Sequence, residues 1–353
     1  MAEKNFLILN VGSTSTKAAL FTGKEQRAVE TIRYSDKDLA PFATLAEQLP
    51  LRAIGLREFV EKNGINLSEI DMIVSRGGLG KPAEAGAYAI DEEMCRDLLQ
   101  GRYGRHPSAL GPAMALEISR QYGMPAIIVD PPSTDEFQPL ARLSGIPEIE
   151  RKSAFHALNQ KAAARRCAAD MGRKYEELNF VVAHLGGGIT VGAHQRGRVI
   201  DCTHGLSEGP FTPERAGSLP TADLISLAEK IDKKELQGRL VGRGGLSAYL
   251  GTTDARQVEE MVRSGDEKAK LVYEAMAYQI GKDIGAMAAV LQGRVDGIIL
   301  TGGLAHSTLL TGAVKKYVES LSAVFIYPGE DEMTALAEGG LRAITKQEET
   351  KKY

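Results

Sequence analysis

The sequence predicts an α/β protein built from two duplicated domains, and three stretches carry that prediction. The first is Phe6-Leu-Ile-Leu-Asn10, then Val11-Gly-Ser-Thr-Ser-Thr16, then Lys17-Ala-Ala-Leu-Phe21: two apolar runs joined by glycine and small hydroxyl residues. Such a pattern reads as two strands and a tight hairpin. The second, Asn179-Phe-Val-Val-Ala-His184-Leu-Gly-Gly-Gly-Ile-Thr190-Val-Gly-Ala-His194, repeats the same grammar. The third, Val295-Asp-Gly-Ile-Ile-Leu-Thr301-Gly-Gly-Leu-Ala, ends a buried run in a glycine pair ahead of a helical segment. Strand–turn–strand units near residues 6 and 180 of a 353-residue chain imply internal duplication, with the two turns facing each other across a cleft.

The first turn has the chemistry of an anion site. Gly12 permits backbone angles that other residues resist, and Ser13, Thr14, Ser15 and Thr16 set hydroxyls beside backbone N–H groups, which suits phosphate oxygens. Asn10, at the strand end, faces the same space. Taken alone, the stretch reads equally as an ordinary hairpin with a polar turn. Its recurrence at two further strand ends points to one shared ligand.

Composition narrows the class. A length of 353 residues points to about two domains, and 43% hydrophobic with 25% charged residues is ordinary for a globular enzyme. The net charge of −3, with basic residues dispersed, gives no electrostatic signature of nucleic-acid or membrane-surface binding. No apolar run approaches the roughly 20 residues that span a bilayer, and the N-terminus has no signal-peptide pattern, so a cytoplasmic location is expected. Cys95, Cys167 and Cys202 lack metal-type spacing and read as free thiols in a reducing compartment.

In chain order, Lys24 to Tyr34 supplies a third strand, and Leu45 to Lys62 carries apolar residues at helical spacing until Asn63-Gly64 stops it. The strand Ile70-Asp-Met-Ile-Val-Ser75 runs into Arg76-Gly-Gly-Leu-Gly80-Lys81-Pro82, a loop at a strand's carboxyl end, where open α/β sheets collect ligands. Arg76 offers a planar fork for a carboxylate or phosphate, against the reading of a solvated surface loop. Asp91 caps a helix, and His106-Pro-Ser-Ala-Leu-Gly111-Pro112 precedes another that runs to about Tyr122. Pro125-Ala-Ile-Ile-Val-Asp130-Pro-Pro is a buried strand whose Asp130 is either a turn residue or a catalytic acid. Residues 131 to 155 read as loop, with a domain boundary near 150 to 178. His156 starts an alanine-rich helix, a place where a structural histidine is the commoner reading.

Residues 205 to 219 form a long loop with little periodicity and one buried-looking cation, Arg215, suited to stabilising charge on a transferring phosphoryl group. Thr253-Asp254-Ala-Arg256-Gln-Val-Glu-Glu reads as a capped helix start, and a long helix from about Asp266 to Gln292 precedes the third glycine strand. A strand Ala323-Val-Phe-Ile-Tyr327 leads to Glu330-Asp331-Glu332, which opens the last helix. Carboxylates there fit metal binding or simple capping.

Eight motifs in order resemble the acetate and butyrate kinases of the sugar kinase, Hsp70 and actin superfamily, the butyrate kinases most closely. They are Leu9-Asn10-Val-Gly12-Ser-Thr-Ser-Thr-Lys17, Ser75-Arg76-Gly-Gly78, His106-Pro, Val129-Asp130, Ala154-Phe-His156, Ala183-His184-Leu-Gly-Gly-Gly188, Arg215-Ala-Gly and Thr301-Gly-Gly-Leu304. The resemblance implies two actin/hexokinase-like (ribonuclease H-like) domains with an interdomain nucleotide cleft. It divides them as residues 1–155, joined by the C-terminal helix 333–353, for the acyl side and 156–332 for the nucleotide side.

It also implies reversible, ATP-dependent phosphorylation of a short-chain fatty acid, butanoate first, with Mg²⁺. Asn10 with Asp331 or Glu332 would serve the metal; Arg76, Asp130, His156 and Arg215 would be catalytic. Gly12, Ser13 and Thr14, the hairpin residues His184, Gly186, Gly187 and Gly188, the pair Asp254 and Arg256, and the turn Gly302–Gly303 would hold the nucleotide. The acetate kinases carry a longer His-Arg-Val-Val-His-Gly-Gly pattern where this chain has Met72-Ile-Val-Ser-Arg76-Gly-Gly, so the substrate arginine is out of register. The implied partners are ATP or ADP and a carboxylate or acyl phosphate, with a homo-oligomer and neither nucleic acid nor membrane. Rival readings are a related kinase preferring isobutyrate, propionate or acetate, a sugar kinase, and a non-catalytic nucleotide switch of the same fold.

Overall fold

The computed structural model of the chain describes residues 3–353. These fall into two compact units, one running to Thr134 and taking up Asp331–Tyr353, the other Asp135–Glu330. Each is built on one mixed sheet.

In the first unit β1 (Asn5–Val11), β2 (Ser15–Thr22) and β3 (Glu25–Arg33) form an antiparallel meander. β4 (Met72–Ser75) then pairs parallel with β1, and β6 (Ala126–Val129) parallel with β4. The short strands β5 (Ala87–Ala89) and, at the edge, β12 (Thr350–Lys351) complete the order β12-β5-β6-β4-β1-β2-β3. The second unit repeats the plan: β7 (Asn179–Leu185), β8 (Ile189–Gln195) and β9 (Arg198–Cys202) make the meander, and β10 (Gly297–Gly302) and β11 (Val324–Pro328) add in parallel to give β11-β10-β7-β8-β9. Strand for strand, β3-β2-β1-β4-β6 matches β9-β8-β7-β10-β11. This is the duplicated core of the sugar kinase and actin-like fold.

The central strands are buried on both faces because helices cover both. Leu7, Leu9 and Val11 join a core with Leu56 and Phe59 of the helix Leu49–Lys62 and with Leu110 and Met114 of the helix Leu110–Tyr122. On the opposite face the last helix, Glu332–Ile344, lies flush on the sheet: a Cβ at Gly340 would come within 2.6 Å of Val74 and 3.1 Å of Phe6. Only a helix with glycines there packs so closely. In the second unit Val181, Ala183 and Leu185 pack under the long helix Glu267–Val290, while Phe180 and Val182 meet the helix Ala157–Asp170.

The expected caps at Asp91 and Asp254 are present, and two further aspartates act in the same way. Asp91, Asp232, Asp254 and Asp266 each accept from backbone N–H groups of the helix that follows. The loop-like stretch 131 to 155 contains a short helix, Pro139–Arg142. Among the described residues no helix is long and apolar enough to cross a membrane.

Candidate active site

Parallel strands in one sheet send their carboxyl ends to the same side. β1, β4 and β6 deliver Asn10, Arg76 and Asp130 to one edge of the first sheet, and β7, β10 and β11 deliver His184, Gly302 and Glu330 to the equivalent edge of the second.

In the first unit, Asn10 and Arg76 converge on one carboxylate. The Asn10 side-chain amide donates to Glu332, and Arg76 Nη1 lies 3.2 Å from Glu332. The other guanidinium N–H groups of Arg76 have no partner among the described residues. Asp331, weighed from sequence beside Glu332, is an exposed helix cap that accepts from Thr334 N–H. His106 caps the turn Pro107–Ala109 and accepts from Ser108 N–H. Burial, then the Arg76 cation, holds its imidazole below the ordinary histidine range, against the opposing pull of Glu332.

Asp130 is buried at φ 40, a backbone region that costs a non-glycine residue energy. Its carboxylate accepts from Gly86 N–H at 2.9 Å while its own N–H donates back to Gly86. The Arg76 loop packs directly on this turn, since a Cβ at Gly77 would come within 2.8 Å of Pro131.

The turn after β1 is organised by a residue that periodicity could not single out. Arg52, fully buried on the helix Leu49–Lys62, donates to Ser13 O (2.7 Å), Ser15 O (3.0 Å) and the Thr16 hydroxyl (3.2 Å), is braced by Gln48, and stacks on Tyr34. Thr14 O is taken by Tyr34 N–H, and Ser15 O also accepts from Gly12 N–H. The carbonyls of residues 13 to 15 are therefore committed, while the N–H groups of Ser13 and Thr14 donate to nothing among the described residues. That is the arrangement of a backbone anion nest.

In the second unit the rings of His156 and His184 stack, with centroids 3.9 Å apart and planes 15° from parallel. His156 Nδ1 is 2.9 Å from the Thr190 hydroxyl. His184 Nε2 is 3.1 Å from Glu330, and its buried Nδ1 has no hydrogen-bond partner. Glu330 arrives there because Gly302 and Gly329 exchange backbone hydrogen bonds of 3.2 and 3.0 Å, which fixes the residue after Gly329 beside the end of β7. A Cβ at Gly302 would overlap the Leu185 carbonyl, so only glycine allows that approach.

Arg215 lies flat on the glycine turn: any Cβ at Gly188 would overlap its guanidinium. It donates from Nη1 to Gly205 O at 2.5 Å, its Nε is buried without a hydrogen-bond partner, and burial pushes its pKa down. Thr212 ties the same turn by donating to Gly187 O at 2.7 Å and accepting from Arg215 N–H. Gly186 lies beside Glu330 and His184, and Gly187 beside Glu214.

Asp254 and Arg256 stand apart from this cluster. Asp254 is an exposed cap, and Arg256 is 91% exposed with Asp254 as its ion-pair partner. Their helix, Ala255–Arg263, connects to the glycine turn indirectly. Tyr273 Oη donates to Glu259 at 3.0 Å and lies 3.2 Å from Ser307, which follows the single turn Gly303–His306.

Among the described residues no group of three or more His, Cys, Asp or Glu is placed to hold a metal ion. The carboxylate of Glu332, toward which Asn10 turns its amide N–H, is a hard oxygen donor of the kind that fits Mg²⁺, an ion that keeps waters and substrate phosphates as its other ligands.

The family model described as the acetokinase family matches residues 147–352. Among solved structures, the fold is similar to an acetate kinase from Porphyromonas gingivalis, with a TM-score of 0.77 at 18% identity, over 96% of this chain and 99% of that one. An acetate kinase from Entamoeba histolytica gives 0.76 at 17%, and a propionate kinase from Francisella tularensis subsp. tularensis SCHU S4 gives 0.74 at 18%, each over 96% of this chain and 99% of the other. The structural likenesses carry the fold, the sequence model carries the family, and the chain belongs to the acetokinase family.

Proposed function

We propose that this protein transfers the γ-phosphoryl group of ATP to the carboxylate of a short-chain fatty acid, butanoate in the first instance, and runs the reaction in reverse. The observation that carries the reading is Arg76: a guanidinium at a strand's carboxyl end, already against one carboxylate through Nη1, with its other N–H groups uncommitted. Such a fork binds a substrate carboxylate bidentately.

In-line phosphoryl transfer asks a protein for positioning and for compensation of charge on the equatorial oxygens. Arg215 and His156 are assigned that compensation, and the amides of the Gly12–Thr14 turn and of Gly186, Gly187 and Gly188 the nucleotide's phosphates. Asn10 and Glu332 would hold Mg²⁺, which supplies charge neutralisation on the phosphates when bound. Asp130, fixed by Gly86, orients the acyl side, and Gly302, Gly303, Asp254 and Arg256 are assigned to adenosine. Buried thiols at Cys95, Cys167 and Cys202 suit a reducing, cytoplasmic setting.

The test is acyl hydroxamate formation with Mg²⁺-ATP across acetate, propionate, butyrate, isobutyrate and valerate, compared as kcat/KM. A maximum at straight-chain C4 supports butanoate. One methylene in an apolar pocket is worth about 1–3 kcal/mol, so neighbouring acids should react more slowly and not be rejected. A maximum at acetate or propionate overturns the chain-length assignment, and no product with any acid overturns the carboxylate kinase reading.

A further inference from the structure

A buried chain of hydrogen bonds behind His156 has one set of donors and acceptors that uses every proton in it. It starts at the Thr190 carbonyl, which can only accept. Gln160 Nε2 lies 3.0 Å from that oxygen and 2.9 Å from Thr190 Oγ1, so the side-chain amide of Gln160 must present its NH₂ to Thr190. Its oxygen then faces His194, whose Nε2 is 2.9 Å away and must carry the proton. His194 is fully buried, and burial followed by the charges of Lys161 and Arg165 holds its imidazole well below the ordinary range. As a neutral ring it has one N–H. Its Nδ1 is therefore the acceptor for the Tyr175 hydroxyl, 2.7 Å away.

The same reasoning runs outward. Thr190 Oγ1 accepts from Gln160, and the backbone N–H of His156 also points at it from 3.5 Å. Among the described residues its single proton has an acceptor only in His156 Nδ1, at 2.9 Å; an Nδ1–H donating to the same oxygen would leave that buried hydroxyl proton unused. An imidazole that accepts at Nδ1 carries its proton at Nε2.

We propose that Thr190 and Gln160 are positioning residues that hold His156 as the Nε2–H tautomer, so that this ring nitrogen presents a hydrogen-bond donor to a phosphoryl oxygen. The tautomer rests on satisfying the buried Thr190 proton, whereas its value for catalysis rests on the proposed contact between His156 and the phosphoryl group. Gln160 is fully buried and never meets the substrate in this scheme, and it acts through Thr190. The stacked His184 ring fixes the plane in which the Nε2–H points.

The experiment is long-range ¹H–¹⁵N correlation NMR of the histidine rings in the full-length protein, paired with steady-state kinetics. The expected result is an Nε2–H pattern for His156 that is lost in Thr190→Val and restored in Thr190→Ser. kcat should fall about 10²-fold in the valine variant with KM little changed, the signature of a misplaced proton at an otherwise intact site. An Nδ1–H pattern in the wild-type protein overturns the proposal without need of any variant, as does an unchanged His156 pattern in Thr190→Val. The catalytic reading is tested separately by His156→Asn: if turnover survives that change while the NMR pattern is as described, the tautomer assignment stands and the phosphoryl contact falls.

Discussion

His156 and His184 stack with ring centroids 3.9 Å apart, one ring tied to Thr190 and the other to Glu330. Two imidazoles from a helix start and a strand end are thereby locked into one rigid pair, and neither can turn without displacing the other. His184→Ala removes the platform. Loss of the buried ring should lower the melting temperature, and kcat should fall about 10²-fold as His156 loses its orientation. Thermal melts and steady-state kinetics check both, and a stable variant with full turnover would dismiss the platform role.

Arg215 and Gly188 form the second coupled pair. Arg215→Ala should lower turnover by about 10³-fold with little loss of nucleotide affinity, as expected of a group that meets charge developing in transfer. Gly188→Ala should imitate it in weaker form, because its methyl group displaces the guanidinium while the flexible arginine absorbs the strain. Equal losses in ATP affinity and unchanged kcat would remove Arg215 from the chemistry.

The two neighbouring acids 331 and 332 separate by experiment. Glu332→Gln takes away the charge that Asn10 and Arg76 share, and the Mg²⁺ concentration for half-maximal rate should rise about tenfold or more. Asp331→Ala removes a helix cap worth about 1 kcal/mol and should leave the Mg²⁺ titration unmoved. The reverse pattern would reassign the metal site.

Arg52→Met tests the nest. It strands the Ser13 carbonyl, an unsatisfied group costing about 1–3 kcal/mol, and leaves Ser15 O with Gly12 N–H alone. Loosening the turn should raise KM for ATP or acyl phosphate by about tenfold. Arg52→Lys, with one ammonium for several acceptors, should recover part of the stability and less of the KM. A melting temperature that falls while KM holds would limit Arg52 to folding.

Asp283 gives the fold a pH dependence of its own. Burial pushes its carboxyl up to about 6, with Lys282 opposing and Glu208 reinforcing the shift. A native pKa above the unfolded one means that the folded state holds the proton longer. Stability is therefore lost as pH rises from about 4 through 6 and stays lower above it. Asp283→Asn should raise the melting temperature at pH 7.5 and leave it nearly unchanged at pH 4. Equal effects at both values would point to packing instead of charge.

Much of the candidate site is proposed from sequence because short-range chemistry marks its residues. Asn10, Arg76, Asp130, His184 and Gly302 sit where an apolar run gives way to glycine or proline, and a buried parallel strand can present a functional group only at that end. The strands Ala87–Ala89 and Thr350–Lys351 are too short for a period of two to register. Arg52 looked like one cation among many on an amphipathic helix, and Thr190 like one hydroxyl in a glycine turn. Glu330 was read only as part of an acidic triplet.

What the sequence determined by itself is the duplicated α/β plan, the glycine turns and the helix caps, each set by residues adjacent in the chain. Only the tertiary structure decided which groups meet: Glu332 with Asn10 and Arg76, Glu330 with His184, Arg52 with the turn carbonyls, and Gln160 with Thr190 and His194. Hydrogen bonds and ion pairs between residues up to 322 positions apart depend on sheet order and helix packing, and no local pattern encodes either.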